Sequence, residues 1–286
     1  MNNNKLPPEF FPLPFHIVES ETLLALRAAL AAGKEIIHIY ENGFTTTFKE
    51  DKQPVTQADI ASNECILKIL QETNYPILSE ETKDTSERLD HDRIWIIDPL
   101  DGTREFINKN GEFSIMIALV ERKQPILGVV YQPTNKLLYV AQKNQGCFQR
   151  LNNGWEKLTI SNIKKLEEAR AILSKSDYPE KDRQFIRNIN VKKISQKGSA
   201  GLKVGEICSG NAEFYYKTNN KLKEWDTAAA YIMISEAGGK MTDLRGNELI
   251  YNQKEVIHQN GILVSNGILH KKLINNLIKY YSEDKG

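Results

Sequence analysis

The chain has 286 residues, and its 38 lysines and arginines nearly balance its 37 aspartates and glutamates, for a net charge of +1. With 40% hydrophobic residues it has the composition of an ordinary globular protein of one large domain or two lobes. The balanced charge excludes an overall basic field of the kind that binds a nucleic acid polymer. No stretch approaches the roughly 18 apolar residues of a membrane span, and residues 1–15 do not resemble a signal peptide.

The three cysteines, Cys65, Cys147 and Cys208, lie far apart and form no CxxC pair. This pattern favours reduced thiols in a cytoplasmic protein rather than a disulfide framework. Peripheral association with the inner membrane surface stays open, as does the choice between a monomer and a homodimer.

The first predicted element is an amphipathic helix from about Glu19 to Tyr40, because apolar residues recur there at helical spacing. Gly43 is suited to end it. The residues that we expect to face the core are Leu23, Leu26, Leu30, Ile37 and Tyr40.

A second helix is predicted from about Asp59 to Gln71, after the turn at 51–54. Its expected buried side carries Ile60, Leu67 and Leu70. Thr56 and Asp59 fit the pattern in which two side chains cap the start of a helix.

An apolar strand at 95–97 leads directly into Asp98-Pro99-Leu100-Asp101-Gly102-Thr103. Two carboxylates three positions apart, beside a Gly that lets the backbone approach a ligand closely, suit the oxygen-seeking Mg²⁺ ion. Since Mg²⁺ commonly keeps water and substrate phosphate as ligands, the run predicts phosphate chemistry. Taken singly, each Asp is equally compatible with a strand end or a turn.

Three β-rich runs separated by turns predict an antiparallel meander over 113–142. After 152–154 the pattern changes to strands alternating with helices, including a strand at 170–173 and helices at 199–209 and 227–237. Ser199 and Asp226 are the expected N-caps of these two helices, with Gly210 and Gly238 just past their ends. We therefore expect an α/β protein with an α+β lobe at 1–154 and an α/β lobe at 155–286, and the site between them.

The run 98–103, followed downstream by Trp225-Asp226-Thr227-Ala228-Ala229 and by Gly238-Gly239, resembles the inositol monophosphatase superfamily of Mg²⁺-dependent, lithium-sensitive phosphatases. The resemblance extends over nearly the whole chain and implies a layered αβαβα sandwich. Within that superfamily, Arg104-Glu105-Phe106-Ile107 and then Asn110-Gly111-Glu112-Phe113 are similar to the CysQ-type 3'(2'),5'-bisphosphate nucleotidases. Those enzymes remove the 3'-phosphate of adenosine 3',5'-bisphosphate, a reaction of sulfur assimilation and nucleotide recycling.

The resemblance also implies the metal ligands. They are Glu80, Asp98, the carbonyl of Leu100, Asp101 and Asp226, holding about two or three Mg²⁺ ions. Two such ions about 4 Å apart activate a water on one side and stabilise the leaving oxygen on the other. For Glu80 and Glu81 the alternative is a solvated acidic loop, which the charged residues at 83–88 favour.

Thr103 is the expected proton partner of the attacking water, relaying to a carboxylate. Asp51, ahead of Pro54-Val55-Thr56, matches a carboxylate position of the nucleotidases and is expected to position the water or a third ion, and Glu80 is expected to contribute to catalysis as well. A covalent aspartyl mechanism is disfavoured because Pro99 stands where haloacid dehalogenase phosphatases carry their nucleophilic Asp.

The expected partners of the substrate are a set of acids, turn residues and one cation: Glu80, Leu100, Asp101, Gly102, Thr103, Ser199, Lys203 and Asp226. Asp177 replaces an expected His, and Lys217, Lys221 and Lys223 are candidate partners of a 5'-phosphate in place of an expected Arg. These departures leave two alternatives open: an inositol- or sugar-phosphate phosphatase, and a non-catalytic metal-dependent binding protein.

Overall fold

A computed structural model of the chain describes residues 6–48, 54–151, 154–219 and 221–282. Within those ranges the helices are α1 (Ser20–Asn42), α2 (Gln57–Leu70), α3 (Thr103–Ile107), α4 (Glu180–Asn188), α5 (Ala200–Cys208), α6 (Ala228–Glu236) and α7 (His270–Ser282). The strands of the first half are β1 (Thr46–Phe48), β2 (Pro54–Thr56), β3 (Ile77–Ser79), β4 (Arg93–Asp101), β5 (Ser114–Glu121), β6 (Gln124–Gln132), β7 (Leu137–Gln142), β8 (Gly146–Leu151) and β9 (Gly154–Lys157). Those of the second half are β10 (Arg170–Ser174), β11 (Lys193–Lys197), β12 (Phe214–Lys217), β13 (Lys240–Thr242) and β14 (Ile262–Ser265).

Two sheets form the framework, beside a small β1–β2 hairpin. The larger sheet has the strand order β3-β4-β5-β6-β7-β8-β9, with β3 parallel to β4 and the other pairs antiparallel. The expected meander over 113–142 is therefore confirmed, and it continues through two further strands. The smaller sheet has the order β11-β10-β12-β14-β13, in which β10 runs parallel to both of its neighbours.

The sheets and helices stack in five layers, as expected for an αβαβα sandwich. Helices α1 and α2 cover one face of the large sheet, α5 and α6 lie between the two sheets, and α4 and α7 cover the outer face of the small one. At Gly128 of β6, a Cβ atom would come within 2.5 Å of the Ala229 carbonyl, so the absence of a side chain lets α6 lie directly on the sheet. Burial of apolar area between the layers is the main source of stability.

Helix α1 matches the expected position, but its buried face is rotated from the expected one. Leu26 is fully buried as expected, whereas Leu23 is 36% exposed. The neighbouring Leu24 and several alanines, which the apolar spacing did not single out, face the sheet instead.

Helix α2 shows the same kind of difference, because Ile60 is 44% exposed while Leu70 is fully buried. Thr56 and Asp59 form the predicted capping box: the Thr56 amide donates to Asp59 Oδ2 at 2.7 Å, and the Ala58 amide donates to Thr56 Oγ1 at 3.1 Å. The cap fixes the helix start so that Asp59 lies in its first turn.

The large sheet ends at Lys157 and the small one begins at Arg170. The predicted division into lobes after residue 154 falls within β9, the last strand of the large sheet, and it stays a prediction. Among the described residues, no helix combines the length and the apolar character that a membrane crossing requires.

His270 at the start of α7 gives a first testable prediction, on stability. Its Nδ1 lies 2.8 Å from Ser265 Oγ and its Nε2 lies 2.8 Å from Thr242 Oγ1, and burial together with nearby Lys240 lowers its pKa to about 4. An unfolded histidine has a pKa of about 6.5. The neutral ring therefore stabilises the fold above about pH 6.5, and that stability is lost as the pH falls toward 4.

We expect the loss of unfolding free energy in wild type to reach at most about 3 kcal/mol. The unfolding free energy of His270→Gln should depend less steeply on pH than that of wild type. Urea unfolding at several pH values measures it, with His16→Gln, at an exposed position, as the control. An equal pH dependence in wild type and His270→Gln would contradict the assignment.

Candidate active site

A β-bulge in β4 brings Asp98 and Asp101 to the same face of the large sheet. Residues three apart in a regular strand point to opposite faces. Here Asp98 is paired with Met116 and Asp101 with Ser114, so β4 carries one extra residue between the two pairs. Met116 lies in the core between the sheets, so both carboxylates emerge on that side, at the end of the strand.

Gly102 then reverses the chain into α3 with φ +100°, a conformation that side chains rarely adopt. A Cβ atom there would also lie 3.2 Å from the Glu112 carbonyl. The Gly of the motif is therefore required by the backbone, as the sequence pattern predicts.

Three of the predicted ligands come together: carboxylate oxygens of Asp98, Asp101 and Asp226 lie within 4.8 Å of one another. They line a cleft of about 650 Å³ together with Glu80 and Leu100. Glu80 follows β3, the parallel neighbour of β4, and its amide donates to the Ile97 carbonyl at 3.3 Å. All five predicted metal ligands therefore face one cleft.

The electrostatics of this end of the cleft favour a cation. Asp98 is 2% exposed, and burial followed by repulsion from Glu80, Asp101 and Asp226 raises its pKa well above the usual value. Burial, and then mainly the charge of Glu80, raises the pKa of Asp226 to about 8. A divalent cation would relieve both the desolvation and the repulsion, so the donor set fits a metal that prefers oxygen ligands.

The expected capping role of Asp226 is wrong. Its Oδ2 accepts a hydrogen bond from the Lys223 amide at 2.6 Å, within the 3-10 turn Glu224–Asp226. Thr227, not Asp226, precedes α6, and it makes no side-chain cap. The turn orients the Asp226 carboxylate toward Asp98 and Asp101 instead of toward the helix amides.

Thr103 has a carboxylate partner that the sequence analysis treated only as a helix cap. The Thr103 hydroxyl donates to Asp59 Oδ1 at 3.0 Å, while Asp59 Oδ2 accepts from Thr56. Burial, which outweighs these hydrogen bonds, raises the pKa of Asp59, and the charge of Glu80 adds to the effect. Asp51, which was expected to position the water or a third ion, lies outside the described residues.

Ser199 is located at the cleft, and it caps α5 by accepting from the Leu202 amide at 3.1 Å, as predicted. Its hydroxyl also donates to Asp101 Oδ2 at 2.5 Å and lies 2.8 Å from Ser114 Oγ. The Gly201 amide donates to the same Asp101 oxygen at 3.1 Å. Because these bonds use the whole hydrogen-bonding capacity of the Ser199 hydroxyl, its main contact at the site is with Asp101.

Lys203 lies on the next turn of α5 and is 4% exposed. Its Nζ donates to the carbonyls of Gly198 and Ser199 at 3.1 and 2.8 Å and lies 5.0 Å from the centre of the Tyr215 ring. Burial lowers its pKa to about 8, although nearby Asp101 opposes this.

Further lysines line the cleft beyond Lys203, namely Lys175, Lys197, Lys217, Lys221 and Lys223. Lys217 Nζ donates to Asp177 Oδ2 at 2.6 Å. Burial alone would raise the pKa of Asp177, but the hydrogen bond and charge of Lys217 bring it below its usual value. The cleft is therefore lined by both an acidic cluster and several lysines.

The segment between Arg104 and Phe113 contacts the small-sheet side of the cleft. Glu112 Oε2 accepts from the Gly198 amide at 2.9 Å and from Lys175 Nζ at 3.2 Å. Glu105, which is 5% exposed, accepts a hydrogen bond from Ser176. These two glutamates hold the two sides of the cleft together.

Known proteins resemble this chain over most of its length. The model of the inositol monophosphatase family matches residues 18–282. The 3'(2'),5'-bisphosphate nucleotidase CysQ of Aggregatibacter actinomycetemcomitans is 33% identical over 234 residues, which cover 80% of this chain and 87% of that protein. The CysQ of Escherichia coli K12 is 32% identical over 82% of this chain and 95% of its own length.

Solved structures agree with this relationship. The structure of CysQ from Bacteroides thetaiotaomicron, described as a bacterial member of the inositol monophosphatase family, has a TM-score of 0.74 and 32% identity, and covers 86% of this chain and 97% of that one. The extragenic suppressor protein suhB from Bartonella henselae has a TM-score of 0.79 and 26% identity, covering 91% and 99%. The chain belongs to the inositol monophosphatase family.

Proposed function

We propose that the chain is a Mg²⁺-dependent 3'(2'),5'-bisphosphate nucleotidase that hydrolyses adenosine 3',5'-bisphosphate to AMP and phosphate. Curated relatives that carry the name CysQ, at 31–34% identity, support this activity. The scattered free cysteines support a cytoplasmic location as part of the same proposal. No described feature supports association with a membrane surface, so we do not propose it.

The presence of acids and lysines in one cleft is the observation that carries the choice of substrate. Asp98, Asp101 and Asp226 form the acidic cluster, and Lys203 and Lys217 line the same cleft. A substrate with two phosphates fits this arrangement, since cations held by the acids take one phosphate and the lysines take the other. An inositol monophosphate offers only one phosphate and leaves the lysines without a second phosphate to bind.

The acidic cluster, together with Glu80 and Leu100, would hold the metal through the carboxylates of Glu80, Asp98, Asp101 and Asp226 and the Leu100 carbonyl. When bound, divalent cations polarise the phosphoryl oxygens and lower the pKa of water. The hydrogen bonds from Ser199 and the Gly201 amide hold one oxygen of Asp101 in place and so fix the orientation of its carboxylate. The chain thus supplies ligands whose orientations are set before metal and substrate arrive.

Thr103 and Asp59 supply the proton relay in this proposal. Because the Thr103 hydroxyl donates to Asp59, the lone pairs of Thr103 Oγ1 are left to accept a hydrogen bond from the attacking water. The proton of that water passes to Thr103 Oγ1 as the hydroxyl proton passes to Asp59 Oδ1. Asp59 is thereby the carboxylate of the relay, which the sequence analysis left unnamed, and the expected role of Asp51 in positioning the water or a third ion stays a hypothesis.

Phosphate release from three substrates tests the function: adenosine 3',5'-bisphosphate, inositol 1-phosphate and fructose 1,6-bisphosphate, each with and without Mg²⁺ and Li⁺. We expect the adenosine bisphosphate to be hydrolysed with the highest kcat/KM, and only when Mg²⁺ is present. Equal or faster turnover of inositol 1-phosphate would support the inositol phosphatase alternative. Tight Mg²⁺ binding without turnover of any substrate would support a binding protein.

A further inference from the structure

The loop between β3 and β4 carries Glu80 at its start and a buried arginine near its end. Arg88 is only 3% exposed, although the sequence around it reads as a solvated charged loop. Its Nε and Nη2 donate to the two carboxylate oxygens of Asp84 at 3.0 and 2.8 Å. This bidentate pair closes the loop on itself.

The other contacts of Arg88 cross to the chain segment at 251–253. Arg88 Nη1 donates to Asn252 Oδ1 at 2.7 Å, and Nη2 donates to the Gln253 carbonyl at 2.8 Å. In return, Asn252 Nδ2 donates to the Arg88 carbonyl at 3.0 Å. Arg88 and Asn252 therefore fix each other through both side chain and backbone.

The same segment holds the turn that carries Asp226. The amides of Asn252 and Gln253 donate to the two oxygens of Glu224 at 2.7 and 2.8 Å. Glu224 is 1% exposed and begins the 3-10 turn that ends at Asp226. A continuous set of hydrogen bonds thus joins the loop of Glu80 to the turn of Asp226.

We propose that Arg88, acting through Asn252 and Glu224, is a positioning residue that sets the spacing between Glu80 and Asp226 and thereby the affinity of the site for divalent cations. The proposal rests on the metal-dependent function proposed above. Arg88 does not line the cleft, so it acts on the metal ligands without touching substrate. Residues that orient metal ligands from outside the site commonly change metal affinity by about 10- to 100-fold when they are replaced.

Mn²⁺ binding, followed by electron paramagnetic resonance of the free ion and without any substrate, tests this role. We expect Arg88→Met to weaken Mn²⁺ binding by at least about tenfold. In activity assays it should raise the Mg²⁺ concentration for half-maximal rate, while the KM for adenosine 3',5'-bisphosphate at saturating Mg²⁺ stays the same. Arg88→Lys, which keeps the charge but carries its donors on a single nitrogen in place of the planar guanidinium fork, should fall between wild type and Arg88→Met.

Arg170→Met is the matched control, because it also removes an arginine that forms an ion pair with a carboxylate. Arg170 makes a comparable pair with buried Glu213 and also donates to the Gly210 carbonyl, but it does not line the cleft or join the loop of Glu80 to the turn of Asp226. We expect it to lower thermal stability without changing Mn²⁺ affinity. Equal weakening by Arg170→Met and Arg88→Met would overturn the proposal.

A second pair of variants tests the positioning role of Arg88 if Arg88→Met does not fold. Asn252→Ala removes the side-chain link to Arg88, whereas Gln253→Ala leaves the link intact because Gln253 contributes its backbone amide and carbonyl. We expect weaker Mn²⁺ binding only in Asn252→Ala. Wild-type affinity in Asn252→Ala would overturn the proposal, as would absence of Mn²⁺ binding by wild type. A wild type that binds Mn²⁺ but does not hydrolyse the bisphosphate overturns the proposed function alone.

Discussion

Asp98→Asn is expected to reduce kcat/KM by at least about 10³-fold, because it removes a central charge of the metal site and metal ions contribute several kcal/mol to such reactions. The change is nearly isosteric. The carbonyl oxygen of the introduced side-chain amide can still accept from the Leu100 amide, as Asp98 Oδ1 does at 3.0 Å. The fold should therefore persist.

The same variant should be more stable than wild type when metal is removed. Burial and three neighbouring acids raise the pKa of Asp98, so its ionisation at neutral pH costs stability in the folded chain. Thermal unfolding with a chelator should give a higher Tm for Asp98→Asn, and added Mg²⁺ should raise the Tm of wild type far more than that of the variant.

Asp243→Asn is a suitable control, since Asp243 is a buried acid away from the cleft that accepts from the amides of Arg245 and Asn247. It should lower Tm and leave both the activity and the response to Mg²⁺ unchanged. A lower metal-free Tm in Asp98→Asn, or retained activity, would contradict the assignment of Asp98.

Replacing Thr103 or Asp59 should give the second largest effect, a loss of about 10²- to 10⁴-fold in kcat, the range typical of a missing proton relay. Thr103→Ala removes the donor of the 3.0 Å hydrogen bond between the two side chains, and Asp59→Asn removes the carboxylate that takes up the relayed proton. Because both residues serve one step, the double variant should lose no more than the worse single variant.

Mn²⁺ binding separates this role from metal binding, and Thr103→Ala should bind the ion as tightly as wild type. Thr103→Ser, which keeps the hydroxyl, is the matched control and should retain most activity. Asp51→Asn tests the other candidate carboxylate: a larger loss in Asp51→Asn than in Asp59→Asn would contradict the assignment of the relay to Asp59. Independent, multiplicative losses in the double variant would also contradict the shared role.

The acidic cluster of the cleft was predictable from sequence because Asp98, Asp101 and Asp226 lie in two short motifs. Asp98, Asp101 and Gly102 occupy one run, in which the Gly serves the turn as predicted and both acids reach the cleft. The sequence does not reveal why both acids face the same way, since an odd spacing in a regular strand would separate them. The bulge at 98–101 depends on pairing with β5, which is a tertiary feature.

Two residues show where local patterns were insufficient. Asp59 fits a capping box and does cap α2, but its second oxygen binds Thr103, which is 44 residues away in the chain. Asp226 fits an N-cap, yet its turn points the carboxylate away from the helix. An Asp near a helix start commonly caps the helix, so the capping prediction was reasonable in both cases. Only the contacts made in the folded chain decide which partner the carboxylate binds.

Arg88 illustrates the same limit for charged loops. The run at 83–88 has the composition of a solvated segment, and only the contact with residues 252 and 253, more than 160 positions later, buries the guanidinium. The predicted buried faces of α1 and α2 differ from the observed ones by about one residue, as the exposure of Leu23 and Ile60 shows. The reason is again that tertiary contacts decide burial. Spacing defines a helix, but the neighbouring layer selects which part of its apolar surface is covered.

The most direct test of the central claim is to identify the nucleotide that the chain forms from adenosine 3',5'-bisphosphate in the presence of Mg²⁺, by chromatography against authentic standards. The account predicts adenosine 5'-phosphate and one equivalent of inorganic phosphate, with no product when Mg²⁺ is replaced by a chelator. Formation of adenosine 3'-phosphate, or an unchanged substrate under conditions in which the chain binds Mg²⁺, would contradict it.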